Sequence, residues 1–425
     1  LNQASSPTIT NCAFTNNLAS YGGGMFNDNG SSPVINYCFI MGNTAAFGGG
    51  MNNSAGANPS VTNCTFSGNQ AGIGGAVYNS FSSNATISSC RFITNTANEG
   101  GGVFSNGSLS ISNCLFFGNS ATGDGGGMSL LNNTTAVINC TFSGNSASQG
   151  GGVFNENGNP RFTNCIVWSN TGGSIINSGT SPAVTRSIVQ GGYAACIDCP
   201  NGNGDIDPLF VSGADFYLQE CSSAIDAGTA AGAPNDDLYG NSRPVDAAPG
   251  QPGNFDIGAY EFQGATPDPT AVCASNLTVQ LDANLTATVT VAQIVDSSDG
   301  CGPLSFLIDG ESSLTFDCDD VGPQTVTLEV TDQFMNTETV TCSFTVADDN
   351  NVCCTASSIT STMFSPASIC PGDEVTLSVV GDLGDGTTWV WYEGECPLGA
   401  PSPPTIVGTG VSVMVTPSFS TTYFV

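Results

Sequence analysis

The chain has 425 residues, of which 54 are glycine and only 9% are charged, and its 35 acidic against four basic side chains give a net charge of −31. That length exceeds what one hydrophobic core usually supports, so several domains are expected, and the composition lacks the charged helical patterning that would argue against an all-β fold. The charge repels phosphate backbones and anionic lipid, which excludes nucleic acid and bare membrane as partners and leaves neutral glycans, proteins and divalent cations.

Cysteines at 12, 38, 64, 90, 114, 140 and 165 recur at intervals of 24 to 26 residues. Other positions repeat in step with them, which marks a structural repeat. Two residues after each Cys comes Phe14, Ile40, Phe66, Phe92, Phe116, Phe142 or Val167, and five after comes Asn17, Asn43, Asn69, Asn95, Asn119, Asn145 or Asn170. A small residue and a glycine cluster follow, then a short apolar strand keyed by Met25, Met51, Val77, Val103, Met128, Val153 or Ile175.

Each unit is too short to bury a core alone, and its apolar residues alternate with strand periodicity. Stacking the units as rungs about 4.8 Å apart would turn like residues into columns, with Phe, Met or Val, and Cys inside and an amide ladder of the seven asparagines at a bend. The Cys column is expected to stay reduced and buried. In-register parallel neighbours point side by side rather than at each other, and no His or CxxC spacing within it suggests a metal. Residues 1–190 thus resemble right-handed parallel β-helix repeat proteins, a likeness that implies the fold and leaves function open between lyases, hydrolases and adhesins.

The position before the glycine cluster reads Tyr21, Phe47, Ile73, Glu99, Asp124 and Gln149. Tyr21, Phe47 and Ile73 are the candidate binding face, as an exposed apolar stripe suited to sugar rings or another protein; the alternative is that they tuck inward. Glu99 and Asp124 precede glycine triplets in consecutive rungs and are the candidate metal pair, with calcium the ion their oxygens would suit. Splaying into water is the other outcome for two stacked carboxylates, and catalysis is disfavoured because stacked acids do not flank a substrate. The basic residues, Arg91, Arg161, Arg186 and Arg243, form no cluster, and with no Lys or His a lyase base is lacking.

Beyond the repeat, Ile206–Phe210, Ser223–Gly228, Asp237–Arg243 and Asp256–Glu261 resemble a so-called choice-of-anchor Q segment, so 191–262 is read as carboxy-terminal rungs and cap, braced by Cys196, Cys199 and Cys221. Residues 263–270, with Thr266-Pro267-Asp268-Pro269, read as a linker. Residues 271–348, through Val272-Cys273, Asp299-Gly300-Cys301-Gly302, Thr315–Cys318 and Val330-Thr331-Asp332, resemble a hyalin-repeat-type sandwich. There Cys273 with Cys301 and Cys318 with Cys342 are the favoured pairings among three.

Residues 349–425, through Cys370-Pro371-Gly372, Trp389–Tyr392, Gly408–Gly410 and Thr421–Tyr423, resemble an immunoglobulin-like sandwich in which Cys370 would bond Cys396. Both ends look truncated, the first within a rung and the last within a strand. Paired cysteines in small domains imply an oxidising, extracellular compartment, and modules of these kinds resemble those of type IX-secreted proteins of Bacteroidota. The expectation is a non-catalytic adhesin or subunit of a surface appendage, without an obligate cofactor, that meets other subunits, a second copy of itself, or cell-surface glycans and proteins. A carbohydrate-active enzyme on the same scaffold is the alternative.

Overall fold

The computed structural model describes residues 1–202, 204–247, 255–349, 353, 358–365, 374–382, 389–393, 405–417 and 423–424. The fold is all-β, with a single turn of α-helix among the described residues at Val291–Ile294, and the chain divides into two compact units. Residues 1–271, 298–306 and 329–339 make the first; 272–297, 307–328 and 340–425 make the second.

The first unit is built on a parallel β-solenoid of about seven turns. Three eight-stranded parallel sheets and one four-stranded sheet run along it. Registers are strict: Phe66 pairs with Phe92, Phe92 with Phe116 and Phe116 with Phe142, while Met25 pairs with Met51 and Val77 with Val103. Strict register is what a repeat with one buried face demands, because a one-residue slip would turn the core column outward. Phe66, Phe92, Phe116 and Phe142 are fully buried, and their rings stack with centroids 4.4 to 5.1 Å apart.

Three of the corners in each rung repeat a residue with positive φ at the same position. These are the residue before the Cys column, such as Asn63 or Asn113, the residue before the Asn column, such as Gly68 or Gly118, and the first glycine of the cluster, such as Gly74 or Gly125. The second glycine is needed for space. A Cβ on Gly101 would lie 2.5 Å from the Ser120 carbonyl oxygen and 2.6 Å from that of Gly126.

After Val189 the chain makes a partial further turn. Ile197 bridges Thr185, and Tyr193, Cys196 and Cys199 close over the core, with Cys196 bonded to Cys199. The described residues of 206–262, the remainder of the region read as rungs and cap, form no extended strand and pack along the flank of the solenoid. They cover the outward side of Leu115, Phe117, Ile166, Trp168 and Ile188. Thr266, in the stretch read as a linker, is buried and bonds the Ala247 carbonyl.

The disulfides differ from the expected pairing of neighbours in sequence. Cys273 bonds Cys342, Cys318 bonds Cys353, and Cys301 bonds Cys221. In the second unit Thr278–Gln280 pairs in parallel with Thr345–Ala347, which brings Cys273 level with Cys342 at a Cα separation of 5.5 Å. Cys301 belongs to the first unit, 4.8 Å from Cys221 between Cα atoms. Both separations suit a disulfide. Cys370 and Cys396 lie outside the described residues. Elsewhere in the second unit Ala287–Thr290 pairs antiparallel with Ser313–Phe316 and Ser358–Ser365 with Val375–Asp382, and Trp389 and Trp391 are buried with Val379.

Candidate functional site: the flank of the solenoid

The columns read from the repeat are hydrogen-bonding ladders. Each Asn side chain between 43 and 145 donates through Nδ2 to the next Asn Oδ1 and to a carbonyl of the preceding rung. Asn95, for example, reaches Asn119 at 2.9 Å and the Phe66 carbonyl at 3.0 Å. Its own Oδ1 accepts from the Asn69 amide and from Asn69 Nδ2. Asn17 and Asn170 terminate the ladder.

The cysteines behave similarly. Cys12 is exposed on the first rung, whereas Cys38 to Cys165 are free thiols buried in the core. The amides of Cys38, Cys64, Cys90 and Cys114 each donate at 3.4 Å to the sulfur of the next rung. Ser187 and Cys199 continue this column, accepting from Cys165 and Ser187 respectively. Neither was recognised in the repeat, because one replaces sulfur by oxygen and the other follows a shortened turn. Burial pushes the Cys114 and Cys165 thiols well up, which keeps them protonated.

Tyr21, Phe47 and Ile73 stand in one column, as their bridges show. Tyr21 is exposed, and Phe47 and Ile73 are half-buried. The aromatic series runs on through residues that the repeat did not single out: Tyr21 stacks on Phe26 and Phe47, Phe47 meets Tyr78 edge-on, and Tyr78 stacks on Phe104. Rings stacked along the axis cover one another's faces, so this stripe offers mostly edges to a sugar. Glu99 is exposed and Asp124 half-buried on the same side, and no group of three His, Cys, Asp or Glu side chains that could hold a metal occurs among the described residues.

A cleft of about 540 Å³ opens on a different side, where the flanking segment stops. The segment is docked by the corner asparagines: Asn113 donates to the Asp236 carbonyl, Asn139 to those of Asp256 and Gly258, and Asn164 to that of Thr229. On the earlier rungs the same corner positions are Tyr37, Asn63 and Ser89, and they are uncovered. With Phe39, Thr65 and Arg91 they floor the cleft, and Asp236–Gly240 forms its end wall. The Arg91 guanidinium lies over the Tyr239 ring, 4.5 Å from its centroid. Burial pushes the neighbouring Tyr260 phenol up, with Tyr239 adding to and Arg91 opposing the shift, so it stays protonated.

The irregular segment is held by buried carboxylates instead of strands. Asp237 accepts from the amides of Tyr239, Asn241 and Glu261; Asp226 from that of Ala247; and Asp256 from those of Asp226 and Phe262. Glu261 takes the amides of Val245 and Asp256 and pairs with the buried Arg243 at 2.8 Å. Burial and the neighbouring Glu261 raise the Asp256 carboxyl well above the usual range.

This architecture defines a parallel β-helix with a buttressed flank. A family model described as a right handed beta helix region matches residues 1–135. No curated protein and no solved structure matches the chain. Helices of this kind occur both in adhesin-like and in polysaccharide-degrading proteins.

Proposed function

We propose that the chain is a non-catalytic extracellular adhesin or structural subunit of a bacterial surface appendage, in which the β-helix serves as rigid rod and binding face. The observation that carries this reading is the placement of acid and base along the solenoid. Its first 200 residues hold five carboxylates. Of these only Glu99 and Asp124 occupy one column in consecutive rungs, one exposed and the other half-buried, and among the described residues no third acid joins them. Glycosidic cleavage asks for a carboxyl pair flanking the bond, and lyase chemistry asks for a strong base.

Several further features support the reading. The disulfides fit an oxidising compartment. Among the described residues no helix is long and apolar enough to cross a membrane. The hyalin-repeat-like and immunoglobulin-like modules, and with them a type IX-secreted Bacteroidota protein, remain part of the proposal, as do partnership with other subunits or a second copy. Incubation with a polysaccharide panel, with and without calcium, is expected to release no new reducing or unsaturated ends. Release that disappears in the Glu99→Gln/Asp124→Asn variant overturns the reading in favour of a carbohydrate-active enzyme.

A further inference from the structure

We infer that the cleft bounded by Tyr37, Phe39 and the Asp236–Gly240 wall is a binding site for a neutral oligosaccharide. The inference rests on the adhesive reading and gives it a ligand class and a location.

The outward sides of the strands supply the first argument. Leu115-Phe116-Phe117 and Ile166-Val167-Trp168 are apolar on both sides, and their outward residues are covered by the flanking segment. Phe39-Ile40-Met41 has the same pattern, yet Phe39 is 54% and Met41 40% exposed. Tyr37, at the corner just before them, is also 54% exposed. The chain thus covers the outward apolar residues of the later rungs and leaves those of the second uncovered, and the flanking segment ends in a wall beside them.

The chemistry of the lining selects the ligand. Neither Tyr37 nor Phe39 packs against another ring among the described residues, so their faces, unlike those of the Tyr21–Phe104 stripe, are free for the apolar face of a pyranose. Beside them stand half-buried Thr62, Asn63 and Thr65 on the next rung and Ser89 on the one after, a cluster of hydroxyl and amide groups. Three rungs span about 10 Å, the length of two to three sugar units. A ligand with an apolar face and a hydroxyl rim matches a site of a few polar groups among aromatic ones.

The electrostatics exclude an anionic glycan. Arg91 is the only cation of the lining, and it is engaged by the Tyr239 ring. Asp236 is exposed on the wall, and the chain carries −31. A uronate or sulfated polymer would meet net repulsion.

The test is affinity electrophoresis and calorimetry of the full chain against neutral glucans, mannans, xylans and galactans, with polygalacturonate, alginate and apolar peptides as competitors. At least one neutral class is expected to bind. Tyr37→Ala and Phe39→Ala should each weaken it about tenfold or more with an unchanged melting temperature, since both rings are more than half exposed, and Phe81→Ala, at an exposed ring outside the cleft, should not. The inference is overturned if no neutral glycan binds, if only anionic polymers or peptides do, if binding ignores Tyr37 and Phe39, or if those variants merely dissociate an oligomer. Cleavage of the bound glycan would sink the non-catalytic reading and leave the site standing, whereas binding elsewhere on the chain would sink the site and leave adhesion standing.

Discussion

Removing the Asn95 side chain leaves the buried Asn69 amide without its acceptor and takes one bond each from Asn69 Nδ2, the Phe66 carbonyl and Asn119 Oδ1. Each buried polar group left unpaired costs about 1–3 kcal/mol. Asn95→Ala should therefore destabilise the solenoid by several kcal/mol, read as a lowered urea midpoint; a loss within about 0.5 kcal/mol would mean that the ladder is decorative. The thiol column makes a finer distinction. Cys114→Ser keeps an acceptor for the Cys90 amide, as Ser187 does for Cys165, whereas Cys114→Ala leaves that amide unpaired. The alanine variant should be the less stable by about 1–3 kcal/mol. Alkylation should reach Cys38 to Cys165 only after denaturation, and a bridge found among them in the native protein would contradict the account.

These columns were legible because a solenoid repeats its environment, so the same residue recurs wherever the same bond must be made. Asn17 to Asn170 recur without exception for that reason. Ser187 and Cys199 escaped because hydrogen-bonding capacity, not residue identity or spacing, is what the position preserves.

At the scale of elements, the strands of the solenoid follow from their alternation, while the flanking segment does not. Its amides are taken up by Asp226, Asp237, Asp256 and Glu261 in place of a ladder, which gives no periodic signal. The one hint was Leu115-Phe116-Phe117 and Ile166-Val167-Trp168, apolar on both sides and so requiring a second cover. The disulfides depart from the spacing for a related reason: partners are chosen by which strands lie side by side, and that is set by long-range pairing such as Thr278–Gln280 with Thr345–Ala347.

The buried acids also make the segment responsive to pH. Asp256 is raised by burial and by Glu261, and Asp226, Asp237 and Arg243 share its surroundings. A carboxyl raised on folding holds its proton where the unfolded chain has released it, so its contribution is fully present below about pH 4 and is lost as pH rises toward the folded value. Hydrogen exchange at the Asp226 and Phe262 amides, which donate to Asp256, should report this locally. Their protection, corrected for intrinsic rates, is expected to be lower at pH 8 than at pH 5. Protection that rises over that interval would contradict the assignment.

For the whole molecule, the proposed function is that this β-helix grips a neutral glycan without cutting it. Tyr37 and Phe39 stand in a cleft walled by the flanking segment, and among the described residues no three acids gather into one group that could hold a metal. Light scattering on a sizing column tests this directly, after prolonged incubation of the full chain with a neutral polysaccharide that it binds. The polymer should co-elute with the protein and keep its molar mass; a fall in molar mass with time would contradict the central claim.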